Sequence, residues 1–285
     1  MQKEINEYIK LGEMNTLRID RVTEPGIYLT SQDEEEVVLL PNAYITEDMK
    51  IDEVIDVFIY TDSEDRIVAT TLTPKAMKDE FALLEVVDTA PFGAFVDIGL
   101  PKDLLVPKNK QKNPFHVGEK RFVRVIEDEE TGRLIGVEKF NSYISRDLSK
   151  FEVNDEVEIL VFAKTPLGFK VVVNNDYEGM LFHNEIFENI YSGVTKRAFV
   201  KNIREDGKLD IVLQKVGSKS GDDTQEKILS YLRKNSGFAP YTYKSDATEI
   251  KKIFGMSKKN YKATLTKLIE SKKIELQEKG IRLNS

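Results

Sequence analysis

Hydrophobic and polar positions alternate through residue 214 in a pattern that occurs three times. Laying Gly26, Gly93 and Gly168 over one another aligns RIDRVTEPGIYLT, LLEVVDTAPFGAFVD and EILVFAKTPLGFKVV. Each segment contains an alternating run, a turn with a proline, a glycine and a second alternating run. Because a period of two is typical of a half-buried strand, each segment predicts a β-hairpin.

After each hairpin the chain continues in the same order. A short apolar run enters a polar segment (VVLLPNAYI, DLLVPKNKQ and EGMLFHNEI), and a second hairpin with an acidic turn follows. Five short strands in roughly 70 residues is the size of a small Greek-key barrel. We therefore predict a multidomain, mainly β chain with three tandem five-stranded OB-fold barrels, at residues 1–76, 77–147 and 148–216. Each barrel is expected to have its own core and to meet its neighbour through a short linker.

Beyond Gln214 the pattern changes from strands to helices. The small polar residues 217–223 predict a linker, and residues 224–285 predict three helices and a closing hairpin. The residues expected to begin or end these helices are Asp223 or Thr224, Ser245 or Asp246, Gly255, and Ser257. The apolar residues at helical spacing are Ile228, Leu229 and Leu232, then Ile250, Ile253 and Phe254, then Tyr261, Leu265, Leu268 and Ile269. Helix, helix, turn, helix and a two-stranded wing is the order of an α+β winged-helix domain.

Two local motifs and the domain order resemble a known family. PFGAFVDIG at 91–99 is similar to the phenylalanine-rich hairpin of the S-one RNA-binding domain, and EGMLFHNE at 178–185 is similar to the strand that follows it. We expect the first copy to be recognisable only by its relation to the other two. Three such barrels before a winged helix resemble the conserved virulence factor B family of bacterial RNA-binding regulators. This resemblance implies single-stranded RNA binding and post-transcriptional regulation of gene expression, including virulence genes.

The second copy has the stronger candidate site. If Ala94 and Val96 face the core, Phe95 must lie on the outer face, with Phe92 just across Gly93. Such rings can stack bases beside a basic groove. By the resemblance, Val106 stands where the family has a ligand-facing His. The basic residues expected around the two rings are Lys108, Lys110, Lys112 and Arg124.

The third and first copies keep less of this chemistry. In the third, Leu167 and Lys170 stand at the two Phe positions and Phe182 at the His position, while His183 has the opposite parity and is expected to be structural or solvated. The cations expected near Phe182 are Lys170, Lys201 and Arg204. In the first, Tyr28 takes the outer position between the acidic loops DEEE and DSED, which should repel phosphates. We expect this barrel not to bind RNA alone and to serve as a spacer or a protein contact.

The predicted third helix of the C-terminal domain carries a basic surface. Its cations, with those near the wing, are Lys258, Lys259, Lys262, Lys272, Lys273, Lys279 and Arg282. A winged helix places such a helix in the DNA major groove. Arg is absent from this helix, and its Lys pattern favours phosphate contact over base readout. We expect contact with the RNA backbone, and duplex nucleic acid is the alternative partner.

Composition narrows the functional classes. The chain has 285 residues, a net charge of −7 and no Cys, which excludes disulfides and thiolate sites and fits a reducing compartment. Acidic residues dominate 1–100, whereas basic residues dominate 101–125 and 244–285. We find no nucleotide-binding, zinc-protease or hydrolase motif, no signal peptide and no apolar membrane span, so we expect a cytoplasmic, non-catalytic protein without cofactor or metal. The alternatives are a DNA-binding transcription factor with protein-contacting barrels and a partner of the translation machinery, and the sequence leaves the oligomeric state open.

Overall fold

A computed structural model describes residues 4–186, 188–215 and 220–284. It divides into two compact units, residues 1–144 and 145–285. The fold is mainly β, with three closed or nearly closed five-stranded barrels followed by a small winged-helix region. The predicted fold class is confirmed, while the predicted boundaries between domains stay predictions.

The first barrel is closed. Its strands are β1 (Met14–Val22), β2 (Gly26–Thr30), β3 (Val37–Pro41), β4 (Val54–Thr61) and β5 (Ile67–Thr70). They follow the order β1-β2-β3-β5-β4, which is antiparallel except for the parallel pair of β3 and β5. Nine buried apolar residues, among them Leu17, Ile19 and Leu40, fill its centre.

The second barrel is nearly closed. Its strands are β6 (Phe81–Ala90), β7 (Gly93–Val96), β8 (Leu104–Pro107), β9 (Lys120–Glu127) and β10 (Leu134–Val137). They form one sheet in the order β10-β9-β6-β7-β8, and within these described strands no ladder joins β8 to β10. A Cβ added to Gly136 of β10 would lie 2.8 Å from the Val106 side chain of β8, so the two edges approach closely through side chains.

The third barrel repeats the closed arrangement. Its strands are β11 (Glu156–Lys164), β12 (Gly168–Val173), β13 (Tyr177–Phe182), β14 (Thr195–Ile203) and β15 (Leu209–Val212). Their order is β11-β12-β13-β15-β14, again with one parallel pair, β13 and β15. A short 3-10 helix follows the third strand in all three barrels, at Asn42–Tyr44, Lys108–Lys110 and His183–Glu185.

The first strand of each barrel contains an irregularity at the same place. The register shifts between Ile19 and Arg21, between Val86 and Asp88, and between Val161 and Ala163. A β-bulge of this kind bends a strand and re-aims the side chains that follow it. The three shifts therefore set the residue that lies opposite the outer position of the second strand.

The aligned glycines allow the second and third strands to approach closely. A Cβ on Gly93 would lie 2.6 Å from the carbonyl oxygen of Val106, and one on Gly168 would lie 2.1 Å from that of Leu181. Neither distance leaves room for a methyl group. The glycine that aligned the three sequence segments is thus required by backbone packing.

Strand β4 departs from the predicted alternation because it is buried on both faces. Val57 and Ile59 face the first barrel's core, while Phe58 and Tyr60 lie in a separate cluster. We call this the junction cluster, and it joins the first two barrels. Its members are Phe58, Tyr60, Val68, Met14, Met77, Leu100 and Leu134. The two barrels have separate cores, as expected, and they meet through this cluster in addition to the predicted linker.

The winged-helix region contains α1 (Ser220–Lys234), β16 (Phe238–Ala239), α2 (Ala247–Phe254), α3 (Lys258–Glu270), β17 (Ile274–Gln277) and β18 (Gly280–Leu283). Asp246 and Ser257 cap α2 and α3 as predicted, and Gly255 ends α2 in the left-handed conformation at φ 64°. Helix α1 begins before the predicted cap at Asp223 or Thr224. Residues 216–219, which overlap the predicted linker, lie outside the described residues.

The C-terminal core follows the predicted helical spacing in most positions. Ile228, Leu232 and Ile250 are buried there together with the apolar face of α3. Ile253 is exposed instead, on the outer side of α2. The wing has a third strand, β16, which pairs with β18 and was missed because two residues are too few to show alternation.

Candidate nucleic-acid interface

Phe92 and Phe95 form an exposed aromatic pair on the second barrel. The parity prediction is confirmed, since Ala94 and Val96 are buried whereas Phe95 is half-buried on the outer face. Phe92 in the turn is 60% exposed. The two ring centroids lie 6.1 Å apart with an interplanar angle of 89°, an edge-to-face contact. We call this the Phe pair, and it leaves ring surface open to a ligand.

The Phe pair lines a cavity of about 640 Å³ between the first and second barrels. Tyr60 of the first barrel adds a third ring to its lining. The charged residues that line it are Asp62, Asp65, Asp88, Asp103, Lys102 and Arg133. The sequence predicted a basic surrounding for the rings, whereas carboxylates outnumber cations in this cavity.

The acidic side of the cavity follows from strand register. Asp88 lies directly opposite Phe95 in the ladder between β6 and β7. Burial, with Asp97 and Asp88 nearby, raises the pKa of the Asp103 carboxyl above its ordinary value. The carboxylates of Asp88 and Asp103 line this edge, and their negative charge disfavours an RNA phosphate beside them.

The predicted basic loop lies at the other end of the Phe pair. The N–H of Lys108 donates to the carbonyl of Phe92 at 2.9 Å, which fixes the 3-10 helix Lys108–Lys110 beside that ring. The Lys108 side chain is exposed and that of Lys110 is half-buried. Lys112 lies farther along, with its Nζ 4.5 Å from the centroid of the Phe140 ring. The structure therefore brings Phe92, Phe95 and Lys108 together.

Arg124 is not part of this surface, and its prediction as an RNA contact is wrong. Its side chain is 8% exposed and lies 5.1 Å from the centroid of Phe81. It donates to the carbonyl of Tyr143 and to Asp79, each at 3.2 Å. A guanidinium held in this way stabilises the barrel and is not available to a phosphate.

The assignment of Val106 to the position of the family's His is also wrong. Val106 is fully buried in the core. The ladder places Pro107 opposite Gly93, just as Phe182 lies opposite Gly168. Pro107 is therefore the structural equivalent of Phe182, one residue after the position that the sequence alignment suggested.

The third barrel places its predicted residues on one outer face. Lys170 lies opposite Ala163 on one side and Met180 on the other. Phe182 is half-buried, and Leu167 is 65% exposed. His183 Nε2 donates to the carbonyl of Thr165, 3.1 Å away, which agrees with a structural role.

Carboxylates of the same barrel bind the third barrel's cations. Lys201 forms a short ion pair with Glu185. Arg204 contacts Asp206 at 2.9 Å and Asp210 at 3.8 Å. Lys170 is 3.7 Å from Glu178, a looser contact. A nucleic acid would have to compete with these pairs.

The first barrel keeps an aromatic residue at the outer position. The guanidinium of Arg21 lies 4.5 Å from the centroid of the Tyr28 ring and covers it. Arg18 is bound by Glu34 of the DEEE loop and by Asp52. The cations nearest this face thus already have partners, in line with the expectation that the barrel does not bind RNA alone.

The cations of the winged helix lie on the side of α3 away from the core. Tyr261, Leu265 and Leu268 are buried as predicted, whereas Lys259 and Lys262 are exposed. Lys258 is half-buried and its Nζ lies 3.5 Å from the carbonyl of Lys244. The remaining predicted contacts, Lys272, Lys273, Lys279 and Arg282, are exposed, and Arg282 lies 5.9 Å from the Phe238 ring.

Sequence reasoning missed Lys102, Arg133 and Asp65 at the cavity. Lys102 lies in the basic block 101–125 and Asp65 in the acidic DSED loop, but neither pattern shows that the two residues meet. Within the described ranges, no group of three or more His, Asp or Glu is arranged to hold a metal ion. No helix among the residues that the structure describes is long and apolar enough to cross a membrane.

Two family models match the chain. The S1 domain model matches residues 11–72, and the CvfB-like winged helix domain model matches residues 226–283. Both describe nucleic-acid-binding domain types. The first match falls on the first barrel, so the expectation that this copy is recognisable only through the other two is wrong.

Similar proteins cover nearly the whole chain. Bacillus subtilis YitL is 30% identical over 96% of this chain and 94% of that protein. Conserved virulence factor B of Staphylococcus epidermidis is 25% identical over 89% of this chain and 90% of its own length. A crystal structure of a multidomain protein with nucleic acid binding domains from Streptococcus pneumoniae covers 96% of this chain and 98% of its own, at 23% identity and a TM-score of 0.41. On this likeness over nearly its whole length, and with the match to the CvfB-like winged helix domain model, the chain belongs to the conserved virulence factor B family.

Proposed function

We propose that this protein binds single-stranded RNA and regulates gene expression after transcription, without catalysing a reaction. The observation that supports this most is the exposed Phe pair beside Lys108. Only unpaired bases present both faces for stacking, and each stacked base contributes about 1–3 kcal/mol. A base stacked on the exposed surface of the Phe92 ring would leave its phosphate near the 3-10 helix Lys108–Lys110.

The third barrel and the winged helix supply further contacts to the same strand. Sites on linked domains bind one strand more tightly than the separate sites do, because the second contact is intramolecular. The residues proposed to contact RNA are Phe92, Phe95, Lys108, Lys110, Lys170, Phe182, Lys201, Arg204, Lys258, Lys259, Lys262, Lys279 and Arg282. The first barrel is proposed as a protein or interdomain contact. We place the protein in the cytoplasm. We also propose a role in virulence where the bacterium that carries the protein is a pathogen, because several relatives are named virulence factors.

Removal of the Phe pair tests this function. Phe92→Ala with Phe95→Ala should weaken binding of a labelled single-stranded RNA by about 10- to 100-fold, since one or two bases no longer have a ring to stack on. Fluorescence anisotropy of the full chain at fixed salt measures the affinity.

The matched control replaces Tyr8 and Tyr191 with Ala. These aromatic side chains are 53% and 65% exposed and lie outside the cavity. The control should change the affinity less than twofold. Equal reductions in both variants, or no binding by the wild type at low salt, would contradict the proposed function.

A second candidate function is duplex DNA binding through the winged helix, and the exposed Lys259 and Lys262 on α3 favour it. Lys258→Ala with Lys259→Ala would then abolish duplex binding, while removal of the Phe pair would leave RNA affinity unchanged. Under the main proposal the Lys variant weakens RNA binding about equally for all sequences, because it removes phosphate contacts.

A further inference from the structure

Two cations of the second barrel meet one carboxylate of the first barrel at the edge of the cavity. We propose that Lys102 and Arg133 bind an RNA phosphate next to the Phe pair, and that Asp65 occupies the phosphate's place in the free protein. This inference rests on the proposed binding of single-stranded RNA. It gives the acidic first barrel a role in that binding, since its loop competes with the ligand.

The contacts converge on Asp65. The Nζ of Lys102 lies 3.2 Å from one carboxylate oxygen of Asp65, and Arg133 forms a short ion pair with the other. Lys102 also donates to the carbonyl of Asp62 at 2.6 Å. One carboxylate held by an ammonium and a guanidinium has the charge and the oxygen geometry that a phosphate offers to the same groups.

The loop of the first barrel is built to present Asp65. The Asp62 carboxylate accepts N–H bonds from Glu64 at 2.9 Å and from Arg66 at 3.0 Å, which fixes the turn. Arg66 in turn neutralises Asp62 and Glu64 through ion pairs of 2.7 and 2.8 Å. Asp65 has a φ of 61°, a left-handed conformation that Asp and Asn tolerate better than most residues. The turn thus satisfies its other carboxylates and directs Asp65 toward the second barrel.

Exchange of Asp65 for a phosphate is feasible because all three side chains are partly exposed. Their exposed fractions are 33% for Lys102, 50% for Arg133 and 41% for Asp65. Ion pairs in such settings are weak and screened by salt. A phosphate whose base stacks on the Phe pair would be held by two kinds of contact, whereas Asp65 is held by one.

The cavity's other aspartates define where the phosphate could go. Asp88 and Asp103 line the same cavity, and the cations among its described lining residues are Lys102 and Arg133. Once Asp65 is displaced, these two are free to contact a phosphate. The path of the strand would then run past Lys102 and Arg133, away from the carboxylate of Asp88.

The test replaces Asp65 with Asn, which keeps the shape of the side chain and tolerates the same backbone conformation. Asp65→Asn should tighten binding of a labelled single-stranded RNA to the full chain about three- to tenfold. Each of the two surface ion pairs that it weakens corresponds to at most about a fivefold change in an equilibrium constant. Fluorescence anisotropy over a salt series measures the effect.

Asp52→Asn is the matched control. Asp52 also has a positive φ, 69°, and also forms an ion pair, with Arg18 at 3.1 Å, but it is absent from the cavity lining. It makes the same change in net charge, so long-range repulsion is reproduced. The control should alter the affinity less than twofold, and a gain equal to that of Asp65→Asn would overturn the proposal.

A double-mutant cycle identifies the cations. Lys102→Gln with Arg133→Gln should weaken RNA binding about tenfold and make the logarithmic salt dependence shallower by roughly 0.7 for each phosphate that is no longer neutralised. In that background Asp65→Asn should bring no further gain. The inference is overturned if Asp65→Asn still tightens RNA binding in that background, or if it does not tighten RNA binding in the wild-type background. RNA binding that depends on the Phe pair would support the proposed function in either case. If no variant binds single-stranded RNA, both fail.

Discussion

The second and third barrels share a backbone design and differ in what that backbone presents. Both have a bulge in the first strand, a glycine packed against the third strand and a buried alternating core. At the outer position the second barrel has Phe95 opposite Asp88, while the third has Lys170 opposite Ala163. The constraint on sequence is therefore strict where strands touch and weak at the outer face.

The two barrels also differ in how their cations are neutralised. In the third barrel, Lys201 and Arg204 form ion pairs with carboxylates of the same barrel. In the second, Lys102 and Arg133 are bound by Asp65 of the neighbouring barrel. The neutralising charge can thus come from the same barrel or from the next one. A carboxylate supplied by the next barrel can be removed without altering the second barrel's sequence.

The largest expected effect tests the shared backbone. Gly168→Ala should cost about 3 kcal/mol of local stability in the third barrel, because its Cβ would overlap the carbonyl oxygen of Leu181. Gly93→Ala should cost somewhat less, since the corresponding distance to Val106 is longer. Hydrogen exchange read by mass spectrometry measures each barrel separately. Peptides of the unaltered barrels serve as internal controls, and unchanged protection in β11 to β13 would show that this close approach is not required.

A smaller effect tests the difference in surface. Leu167→Phe with Lys170→Phe gives the third barrel the two rings of the second and should tighten single-stranded RNA binding about fivefold. This corresponds to about 1 kcal/mol, the low end of one stacking contact, because the charge of Lys170 is removed. Lys170→Leu, which removes the charge without adding a ring, is the control in the same anisotropy assay. Affinity no better than that of this control would mean that the rings alone do not make the platform.

The smallest effect concerns the acidic edge of the second barrel. Because burial and nearby carboxylates raise the pKa of Asp103, the folded state binds its proton more tightly than the unfolded state does. Its ionisation therefore lowers stability as the pH rises above its ordinary value of 3.8. Asp103→Asn should raise the free energy of unfolding at pH 7 by a few tenths of a kcal/mol, since solvent screens the site. Thermal unfolding at pH 7 and pH 3.5 should show the gain at the higher pH only.

Asp147, which precedes the first strand of the third barrel, has a pKa shift of the opposite sign to that of Asp103. A side-chain hydrogen bond from Ser149 holds the pKa of its carboxyl below the ordinary range. Asp147→Asn should therefore lower the melting temperature at pH 7 and have less effect in acid. The same direction of change in both variants would show that the substitutions act through something other than the ionised carboxylates.

Local patterns predicted the elements that local forces decide. Asp246 and Ser257 accept N–H bonds at the helix starts, and Phe95 and Val96 take opposite faces, because both outcomes depend on residues near in sequence. The prediction of the candidate site's two rings, Phe92 and Phe95, came from the same alternation of side chains between the two faces of a strand.

Contacts between distant segments could not be predicted in this way. Arg124 lies opposite Phe81 in the ladder. Phe58 and Phe199 hold the equivalent position in the other two barrels. The burial of Arg124 depends on the rings that pack around it, which the sequence pattern does not show. The pairing of Asp65 with Lys102 joins two barrels across a turn. Strand register shows that Pro107, and not Val106, is the equivalent of Phe182. Register depends on backbone hydrogen bonds, which an alignment by sequence similarity does not include.

The junction cluster makes the first two barrels one cooperative piece. Phe58 and Tyr60 are buried against Leu134 and Met77, so cutting the chain between the barrels would expose both rings to water. A fragment ending near residue 76 would present an apolar surface that favours self-association. Dissection of this protein should therefore keep residues 1–144 together, since a first barrel expressed alone would report on its own aggregation rather than on its affinity for RNA.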